Sequence, residues 1–393
     1  MKIGIEAQRI FRKKKHGMDM VAIELIRQLQ KIDQPDEYVV FVQPDDDHDV
    51  IRETANMKIV TLKGGPYPIW EQISLPIAAK KHGCDILHCT GNTGPVNCRI
   101  PLILTLHDII YLERSTLSIM RSSNSAYQKF GNLYRKWVVP ELVKNCRRII
   151  TVSAFEQQRI SHHFRMENDQ RLMTVYNGVG EGFKKVSDQS ELQRIRKKYG
   201  LPDRYFFFFG NMDPKKNTPG TLQAFSRYLQ RTKDDVKLVL TDFNRSSLKR
   251  LLQYTGETEL EDRIILTGYV DHKDLPAIYS QCDLFLYTSL RESFGLPILE
   301  AMACGAPVIT SSTSSMPEVA GSAAIITDPL SPGEMADAMI HVQENPGIRR
   351  KMITDGYLRA STFSWTRMAE KMLDIYRQVV EEKSSPEKAP LHC

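Results

Sequence analysis

The sequence lacks the patterns that mark several common classes of protein. No GxGxxG follows a predicted strand and no GxxxxGK is present, which argues against a dinucleotide cofactor and the commonest ATP-binding loop. No window reaches about 18 apolar residues, so no membrane-spanning helix is predicted. The seven cysteines are odd in number and include no CxxC pair, which favours a reducing compartment. Since the chain begins with a strand pattern, MKIGIEAQRI, rather than a signal peptide, we expect a cytoplasmic protein.

Length and composition are those of a folded protein with two domains. The 393 residues exceed the usual single domain. The 41% of hydrophobic residues and 25% of charged residues exclude wholesale disorder, collagen and coiled coil. Lys and Arg outnumber Asp and Glu by 53 to 47, a formal charge of +6. This excess is compatible with an anionic substrate or a membrane surface but indicates neither, and we expect no nucleic-acid partner.

Short apolar runs alternate with amphipathic segments along the chain, which is typical of parallel sheets. Six runs predict a first doubly wound domain, with strands at residues 2–6, 38–42, 85–89, 102–106, 148–152 and 172–175. A polar, glycine-containing linker is expected after Tyr176. Six more runs predict a second domain, with strands at residues 205–209, 236–240, 263–267, 283–287, 307–310 and 323–326. The fold class is therefore α/β, with domains at 1–180 and 181–363, a helix at 364–382 and a flexible tail at 383–393.

The loop after the predicted strand 283–287 is the most informative segment. Two such domains create a cleft, and ligands of parallel sheets bind at the carboxyl ends of the strands. Here the N–H groups of Phe294, Gly295 and Leu296 are expected to form an anion site at a helix N-terminus. Glu292 and Glu300 flank this site, and carboxylates recognise hydroxyls. A nucleotide sugar carries both a diphosphate and hydroxyls. The alternative is a helix with an ordinary N-terminal acid and one solvated Glu.

A second loop carries paired cations. The aromatic run FFFF predicts a strand buried on both faces that leads to Lys215 and Lys216 at its carboxyl end. A lysine about 4 Å from a developing phosphate charge contributes roughly 4 kcal/mol at an effective dielectric near 20. Two such lysines suit a diphosphate, and a solvated turn is the alternative.

Two features of the first domain are also expected at the cleft. His107 and Asp108 follow the predicted strand 102–106, where His107 suits a sugar contact or acid/base work. A core histidine or metal ligand are the other interpretations, although no second ligand lies at metal spacing. The basic loop 12–17 is a candidate phosphate or acceptor contact, or else a solvated loop.

The segment ESFGLPILEAMACGAPVIT resembles the signature of retaining GT-B glycosyltransferases of family four, the glycosyl transferases group 1. The resemblance extends over most of the chain. The other segments that carry it, in the order of the family, are ITVSAFEQQRI, VYNGV, GNMDPKKN, LTGYVDHKDLPAIYSQCDLFLYTSL and SSMPEVAG.

The resemblance implies roles for individual residues in the second domain. Glu292 matches the glutamate near the donor sugar and reacting centre, and Glu300 matches the glutamate that binds the nucleotide ribose. Lys216 matches the lysine that binds the diphosphate. Three further matches concern donor binding. Lys215 lies where relatives often carry arginine, and Val270 lies in the loop that meets the base. The turn Phe294, Gly295 and Leu296 matches the turn whose backbone holds sugar hydroxyls and diphosphate.

Three further positions are assigned in the same way. His107 matches the histidine of the first domain that contacts the donor sugar, and Gly17 matches the glycine loop after the first strand. Relatives often have a second glycine where this chain has Asp19, which is a departure from the family pattern. The helix at 364–382 is expected to cross back onto the first domain.

The resemblance implies transfer of a sugar from a nucleotide donor with retention, with no metal and no cofactor. The catalytic candidates are Glu292, His107 and Lys216. In front-face attack, the acceptor hydroxyl passes its proton to the leaving diphosphate while Lys216 stabilises the charge. We expect a hexose, with a lean to mannose, and a glycan or lipid-linked glycan acceptor in cell-surface polysaccharide synthesis.

Several alternatives stay open. Asp45, Asp46 and Asp47 imitate the DxD metal site of a GT-A enzyme, although they also suit a turn. A glycoside hydrolase likewise uses two carboxylates. A nucleotide-sugar epimerase or a nonenzymatic sugar-binding module is compatible with the same two-domain frame. The segment 127–148 interleaves bases with aromatics, which suits either contact with an anionic membrane or a solvated helix that buries its aromatics.

Overall fold

The computed structural model describes residues 1–13, 15–32, 35–63, 65–113, 115 and 126–384. It divides into two compact units. The first contains Met1–Asn177 together with the C-terminal helix, and the second is Gly178–Ser364. The sequence analysis places the two boundaries at residues 180 and 363. The predicted tail lies outside the described residues from residue 385 onward.

The first unit is built on a seven-stranded parallel sheet of order β3-β2-β1-β4-β5-β6-β7. The strands are β1 (Lys2–Glu6), β2 (Glu37–Val42), β3 (Met57–Thr61), β4 (Ile86–Cys89), β5 (Leu102–Thr105), β6 (Arg148–Thr151) and β7 (Leu172–Thr174). The helices are α1 (Gly17–Lys31), α2 (Tyr67–Ile69), α3 (Leu75–Lys81), α4 (Ile110–Glu113), α5 (Ala126–Asn145) and α6 (Ala154–Phe164). A π-helical turn at Trp70–Ser74 joins α2 to α3.

The prediction of six strands in this unit was wrong because it missed β3. This strand lies at the edge of the sheet and pairs only with β2 among the described residues. Met57 is buried, but Lys58 and Thr61 are exposed. An edge strand with a lysine carries a weak apolar signal, since one of its sides needs no partner.

The second unit contains a six-stranded parallel sheet of order β10-β9-β8-β11-β12-β13, and every predicted strand is present within two residues. The strands are β8 (Tyr205–Phe208), β9 (Lys237–Thr241), β10 (Ile264–Gly268), β11 (Leu284–Tyr287), β12 (Val308–Ser311) and β13 (Ile325–Thr327). The helices are α7 (Gln189–Tyr199), α8 (Thr218–Thr232), α9 (Arg245–Thr255), α10 (Leu275–Gln281), α11 (Leu296–Ala303), α12 (Met316–Ala320), α13 (Pro332–Glu344) and α14 (Pro346–Ser361).

The aromatic strand β8 lies at the centre of the second core. All four of its side chains are at most 1% exposed, which confirms a strand buried on both faces. Phe206 packs against α8 through Phe225 and Tyr228, at ring distances of 6.0 and 5.1 Å. On the other side, Phe207 packs against Tyr279 of α10 at 5.3 Å. This packing fixes where the loop after β8 leaves the sheet.

The last helix, α15 (Trp365–Ser384), belongs to the first unit. A hydrogen bond of 2.7 Å links the Tyr376 hydroxyl to Nδ1 of His88 in β4, and Thr366 Oγ1 donates to Gln28 of α1 at 3.0 Å. Burial lowers the pKa of His88 to about 3, so this histidine is neutral. Helix α15 therefore completes the core of the first unit.

Each sheet has one point where the strand order reverses. In the first unit it lies between β1 and β4, and in the second between β8 and β11. The connections from two such neighbouring strands leave toward opposite sides, which opens a crevice at their carboxyl ends. The loops after these four strands are therefore the candidate binding loops.

Candidate active site

In the second unit, the loops after β8 and β11 meet through an ion pair. Lys216 Nζ donates to Glu292 Oε1 at 2.6 Å, and the two side chains are 12% and 11% exposed. The ammonium also lies 5.0 Å from the centre of the Tyr287 ring, within cation–π range, and 3.4 Å from its hydroxyl. The two predicted residues are thus adjacent, because β8 and β11 are neighbours in the sheet.

The electrostatics of the pair keep Glu292 ionised. Burial acts to raise the pKa of Glu292, but the charges of Lys216 and Lys215 and hydrogen bonds from Lys216 and Ser289 together lower it below its ordinary value. A negative ligand placed here meets one carboxylate and two ammonium groups, so the local charge still favours an anion.

The loop after β8 is shaped by its turn. Asp213 Oδ1 accepts from the backbone N–H of Lys215 at 3.1 Å, which starts the 3₁₀ turn Pro214–Lys216. Asn217 then takes a left-handed conformation with φ of 53°, and its buried amide donates to the carbonyl oxygens of Thr288 and Pro329 at 3.2 and 2.7 Å. Asn217 therefore connects this loop to the segments that follow β11 and β13.

Helix α11 begins at the site, as the sequence predicts. Gly295 precedes it with φ of 104°, a conformation that strains any residue with a Cβ. The first hydrogen bond of the helix runs from Ile298 N to Gly295 O at 3.0 Å. The N–H groups of Gly295 and Leu296 precede that bond, and the positive end of the helix dipole lies at these groups. The side chain of Phe294 is buried and packs against Phe363.

Two serines hold the loop that carries Glu292, and sequence reasoning missed them. Ser314 Oγ accepts from the backbone N–H of Glu292 at 2.9 Å. Ser315 Oγ lies 2.9 and 2.8 Å from the carbonyl oxygens of Glu292 and Phe294, which share its one hydroxyl proton. Both serines follow β12, the neighbour of β11 in the sheet. The available signal was SSMPEVAG, which carried the family resemblance without a stated role.

Glu300 lies on α11 beside the loop that contains Val270. Its Oε2 accepts from the Tyr279 hydroxyl at 3.4 Å, and its Oε1 lies 3.7 Å from Nε2 of His272. Val270 itself is buried, two residues before His272. The structure therefore brings the predicted ribose glutamate and the predicted base loop together, and it adds His272 to their surroundings.

His107 is buried in the first unit beside the loop that follows β4. Its Nε2 lies 3.0 Å from the carbonyl oxygen of Thr90, and its backbone N–H donates to Asn92 Oδ1 at 2.6 Å. Because a carbonyl oxygen only accepts, Nε2 carries the proton. Burial lowers the pKa of His107, so the ring is neutral and its Nδ1 is an acceptor.

Gly17 is the first residue of α1 and is exposed. A Cβ at this position would meet nothing within 4 Å. Asp19, the departure from the family pattern, is buried; its Oδ2 accepts from the backbone N–H of His16 at 2.9 Å. Its Oδ1 lies 3.6 Å from Nε of Arg9, so this acid caps α1 and also pairs with the loop that follows β1.

The aspartate run after β2 pairs with the basic loop. Asp46 lies 3.0 Å from Lys13, and Asp47 forms an ion pair with Lys15. Asp46 and Asp47 of the DxD-like pattern therefore form ion pairs with two lysines of the basic loop, Lys13 and Lys15. Among the described residues, no group of three or more His, Cys, Asp or Glu side chains is placed to hold a metal ion.

The aromatic helix α5 presents two kinds of side chain. Tyr134 is buried and donates to Glu71 of the π-helical turn at 2.6 Å, whereas Phe130 and Trp137 are 54% and 61% exposed. The sequence left open whether this helix buries its aromatic side chains. Of these three, only Tyr134 is buried. No helix in the described part of the chain is long and apolar enough to cross a membrane.

Comparison with known proteins shows to which class this chain of two parallel-sheet units belongs: it is a glycosyltransferase. A model described as "Glycosyl transferases group 1" matches residues 191–359, and a model described as "Glycosyltransferase Family 4" matches residues 16–181. The chain belongs to the family-four glycosyltransferases, which confirms the resemblance given by the sequence motifs.

Among characterised relatives, the O-antigen chain mannosyltransferase B of Escherichia coli is 30% identical over 245 residues, which cover 62% of this chain and 64% of the relative. The serotype-specific mannosyltransferase WbdA of Escherichia coli is 28% identical over 59% of this chain, but the match spans only 29% of WbdA. The chain thus matches less than two thirds of the length of either relative.

Solved structures confirm the GT-B fold over nearly the whole chain. Sucrose-phosphate synthase from Thermosynechococcus elongatus superposes with a TM-score of 0.72 at 17% identity, over 97% of this chain and 99% of that one. Anabaena HepE in complex with UDP-glucose superposes with a TM-score of 0.72 at 19% identity, over 96% of this chain and 100% of that one.

Proposed function

We propose that this protein transfers a hexose, mannose in the first instance, from a nucleotide-sugar donor to a glycan or lipid-linked glycan acceptor in cell-surface polysaccharide synthesis. The observation that carries the proposal is the Lys216–Glu292 ion pair, whose side chains are 12% and 11% exposed, in the loop that leads into α11. Cations, helix N–H groups and an ionised carboxylate in one place match a diphosphate bonded to a hydroxylated sugar.

The donor would lie along the strand ends of the second unit. Lys216, Lys215 and the N–H groups at the start of α11 take the diphosphate, and Glu292 orients the sugar hydroxyls. Glu300 accepts from the ribose, and the loop of Val270 meets the base. Glu300 lies 3.7 Å from His272, which is in the same loop as Val270, so the ribose and the base would bind next to each other.

The chemical step we propose is front-face transfer with retention, without a metal or a cofactor. The acceptor hydroxyl attacks the anomeric carbon and its proton passes to the leaving diphosphate. Lys216 and the helix N-terminus stabilise the charge that develops on the leaving group. Glu292 positions and stabilises, and neutral His107 accepts a hydrogen bond from a donor-sugar hydroxyl through Nδ1.

The choice of mannose and of a glycan acceptor draws on two supports. The relatives described above bear the names of mannosyltransferases, one of them of an O-antigen chain. The HepE structure holds UDP-glucose on the same fold, which supports a nucleotide sugar as donor.

A screen of GDP- and UDP-activated hexoses tests the proposal. We expect one donor to raise the melting temperature and to be consumed when a glycan acceptor is added. Lys216→Met should abolish both effects, whereas Lys351→Met, which removes an exposed lysine from α14, should leave both unchanged. Hydrolysis of a simple glycoside without a nucleotide, or interconversion of the donor without an acceptor, would contradict transfer.

We also propose peripheral contact with an anionic membrane. Ile69, Ile73 and Ile77 recur every four residues along α2, the π-helical turn and α3, and they are 48%, 54% and 62% exposed. The neighbouring helix α5 adds exposed Phe130 and Trp137. The two helices are linked, because the rings of Tyr67 and Tyr134 lie 5.5 Å apart.

Lysines close in sequence to these exposed apolar side chains suit contact with anionic lipid. Lys80 and Lys81 end α3 and are exposed, and Lys136 lies one residue before Trp137. We expect flotation with phosphatidylglycerol vesicles and none with phosphatidylcholine vesicles. Ile73→Ser combined with Trp137→Ser should abolish flotation, and Tyr254→Ser, at an 83% exposed tyrosine of the second unit, should not. Equal binding to both kinds of vesicle would contradict the role of charge.

A further inference from the structure

Tyr287, the last residue of β11, lies beside both Lys216 and the start of α11 in the second unit. Its hydroxyl oxygen lies 3.4 Å from Lys216 Nζ, and the centre of its ring lies 5.0 Å from the same ammonium. A Cβ on Gly295, which precedes α11, would lie 3.6 Å from Cε1 of the Tyr287 ring. The roles proposed above for the donor give this side chain no function.

The hydroxyl of Tyr287 donates a hydrogen bond to Glu292. Burial raises the pKa of this hydroxyl well above its ordinary value, and the charge of Glu292, the hydrogen bond to it and the charge of Glu300 act in the same direction. The hydroxyl therefore keeps its proton. Since an ammonium group only donates, the Tyr287 oxygen accepts from Lys216, and the hydroxyl proton is left for the carboxylate.

The sheet and the core hold the Tyr287 side chain in place. Tyr287 is 2% exposed, and its ring stacks on the ring of Phe285 at 6.0 Å. Its backbone pairs with Thr310 of β12, whose Oγ1 also donates to the Tyr287 carbonyl oxygen at 2.8 Å. Tyrosine has only two side-chain torsions, whereas lysine carries its charge on a flexible four-carbon stem. A ligand that draws Lys216 away therefore leaves Tyr287 where it is.

In the proposed reaction one ammonium group serves two anions. In the free protein Lys216 Nζ donates to Glu292 Oε1 at 2.6 Å, but the proposed function assigns the same ammonium to the diphosphate of the donor. When Lys216 turns to the diphosphate, Glu292 stays at 11% exposure without its main partner. A carboxylate that is buried without compensation binds a proton and loses its charge.

We propose that Tyr287 is a positioning residue of the donor site: its hydroxyl holds the Glu292 carboxylate while Lys216 turns to the diphosphate. This role rests on the proposed function, in which the second unit binds the donor. The ring contributes in the free protein, because its cation–π contact keeps the ammonium beside the carboxylate.

Other charged groups also act on this pair of side chains. Among the described residues these are Lys215 in the loop after β8, Glu300 on α11 and Arg291, whose Nη1 lies 3.5 Å from the Glu292 carbonyl oxygen. All three are the same in the wild type and in Tyr287→Phe. A difference between these two proteins therefore reports on the Tyr287 hydroxyl.

Proton uptake during nucleotide binding gives the direct test. Titration calorimetry with GDP and with UDP, in two buffers of different ionisation enthalpy at pH 6, counts the protons that each protein takes up. In the wild type Glu292 should stay ionised, so the wild type and Glu292→Gln should take up equal numbers of protons. In Tyr287→Phe, Glu292 should bind a proton as Lys216 leaves it, so this variant should take up more than the wild type, by up to about one proton per nucleotide.

The affinity for the nucleotide should change in step with this proton uptake. At pH 8, Tyr287→Phe should bind the nucleotide about tenfold more weakly than the wild type, the loss of one hydrogen bond to a charged group. At pH 6 the deficit should be smaller, because the bound proton then replaces the lost hydrogen bond.

Two matched variants show where the proton goes. In the double variant Tyr287→Phe/Glu292→Gln the additional uptake should disappear, because the carboxyl group is gone. Tyr228→Phe makes the same chemical change at a buried tyrosine of α8, where it removes a hydrogen bond of 2.7 Å to Asp234. Asp234 precedes β9 and so lies at the other end of the strands from Lys216. This control should match the wild type in affinity and in proton uptake.

Three outcomes would overturn this role of Tyr287 while leaving the transferase function standing: Tyr287→Phe takes up no more protons than the wild type, the additional uptake persists in the double variant, or the loss of affinity is the same at pH 8 and pH 6. If neither GDP nor UDP binds the wild type, that result contradicts the proposed donor site instead. Should Tyr287→Phe fail to fold, a larger proton uptake by the wild type than by Glu292→Gln would still overturn the proposal, because Glu292 would then lose its charge with Tyr287 present.

Discussion

The ion pair between Lys216 and Glu292 makes a quantitative prediction about stability. Lys216→Met removes the ammonium but keeps a side chain of similar length, so Glu292 remains buried without its main partner. Removal of one member of a buried pair costs about 3–5 kcal/mol. We expect the lower end, about 3 kcal/mol, because Lys215 and Ser289 still act on the carboxylate. For a unit of about 150–250 residues this corresponds to a melting temperature lowered by roughly 6–12 °C.

The pH dependence of this loss follows from the lowered pKa of Glu292. In the wild type the carboxylate contributes stability above its unfolded pKa of about 4.3, and this contribution disappears as the pH falls through the folded pKa. In Lys216→Met, burial is no longer outweighed and the pKa of Glu292 rises. The carboxyl is then protonated at mildly acidic pH, so the difference between wild type and variant should shrink from pH 7.5 to pH 5.

Urea denaturation and calorimetry at pH 7.5 and pH 5 measure the effect. The set comprises the wild type, Lys216→Met, Glu292→Gln, the double variant and the control Lys351→Met, whose lysine is 70% exposed. We expect the double variant to be more stable than Lys216→Met at pH 7.5, since it contains no buried unpaired charge. The reasoning is refuted if Lys216→Met costs no more than Lys351→Met, or if its cost is the same at both pH values.

Three further predictions concern single positions. Gly295→Ala should cost about 1–3 kcal/mol of unfolding free energy because of its positive φ and should weaken nucleotide binding by calorimetry, whereas Gly347→Ala should change neither. Ser315→Ala removes the hydroxyl that the carbonyl oxygens of Glu292 and Phe294 share, and it should lower kcat/KM about tenfold in a donor-consumption assay, with the exposed Ser361→Ala as control. His88 stays neutral in the folded state, so the stability difference between the wild type and His88→Phe should fall by about 2 kcal/mol from pH 7.5 to pH 5 in urea titrations. A constant difference would mean that His88 titrates normally.

The sequence predicted most of the fold because buried parallel strands are continuous apolar runs. Twelve of the thirteen strands are the runs that the alternation indicated, and the start of α11 at Leu296 follows from the Gly–Leu–Pro turn. Strand β3 was not predicted because it lies at the edge of the sheet, where one of its sides has no neighbouring strand among the described residues. Edge position depends on strand order, which periodicity does not contain.

The candidate site was predictable only in part, for a similar reason. Lys216 and Glu292 are ionisable groups at strand ends, and their residue types alone suggested chemistry. Ser314 and Ser315 act by hydrogen bonds to backbone groups of a loop 22 or 23 residues earlier, and such a contact depends on β11 and β12 being neighbours.

The contact between His88 and Tyr376 has a consequence for synthesis on the ribosome. The two residues are 288 positions apart, so at about 5–20 residues per second Tyr376 is made roughly 15–60 s after His88. During that interval the second unit is translated in full, and the first sheet lacks the helix α15 that packs against it. Nascent chains arrested before residue 365 should therefore expose apolar surface from the N-terminal half to chaperones, even though that half is translated first.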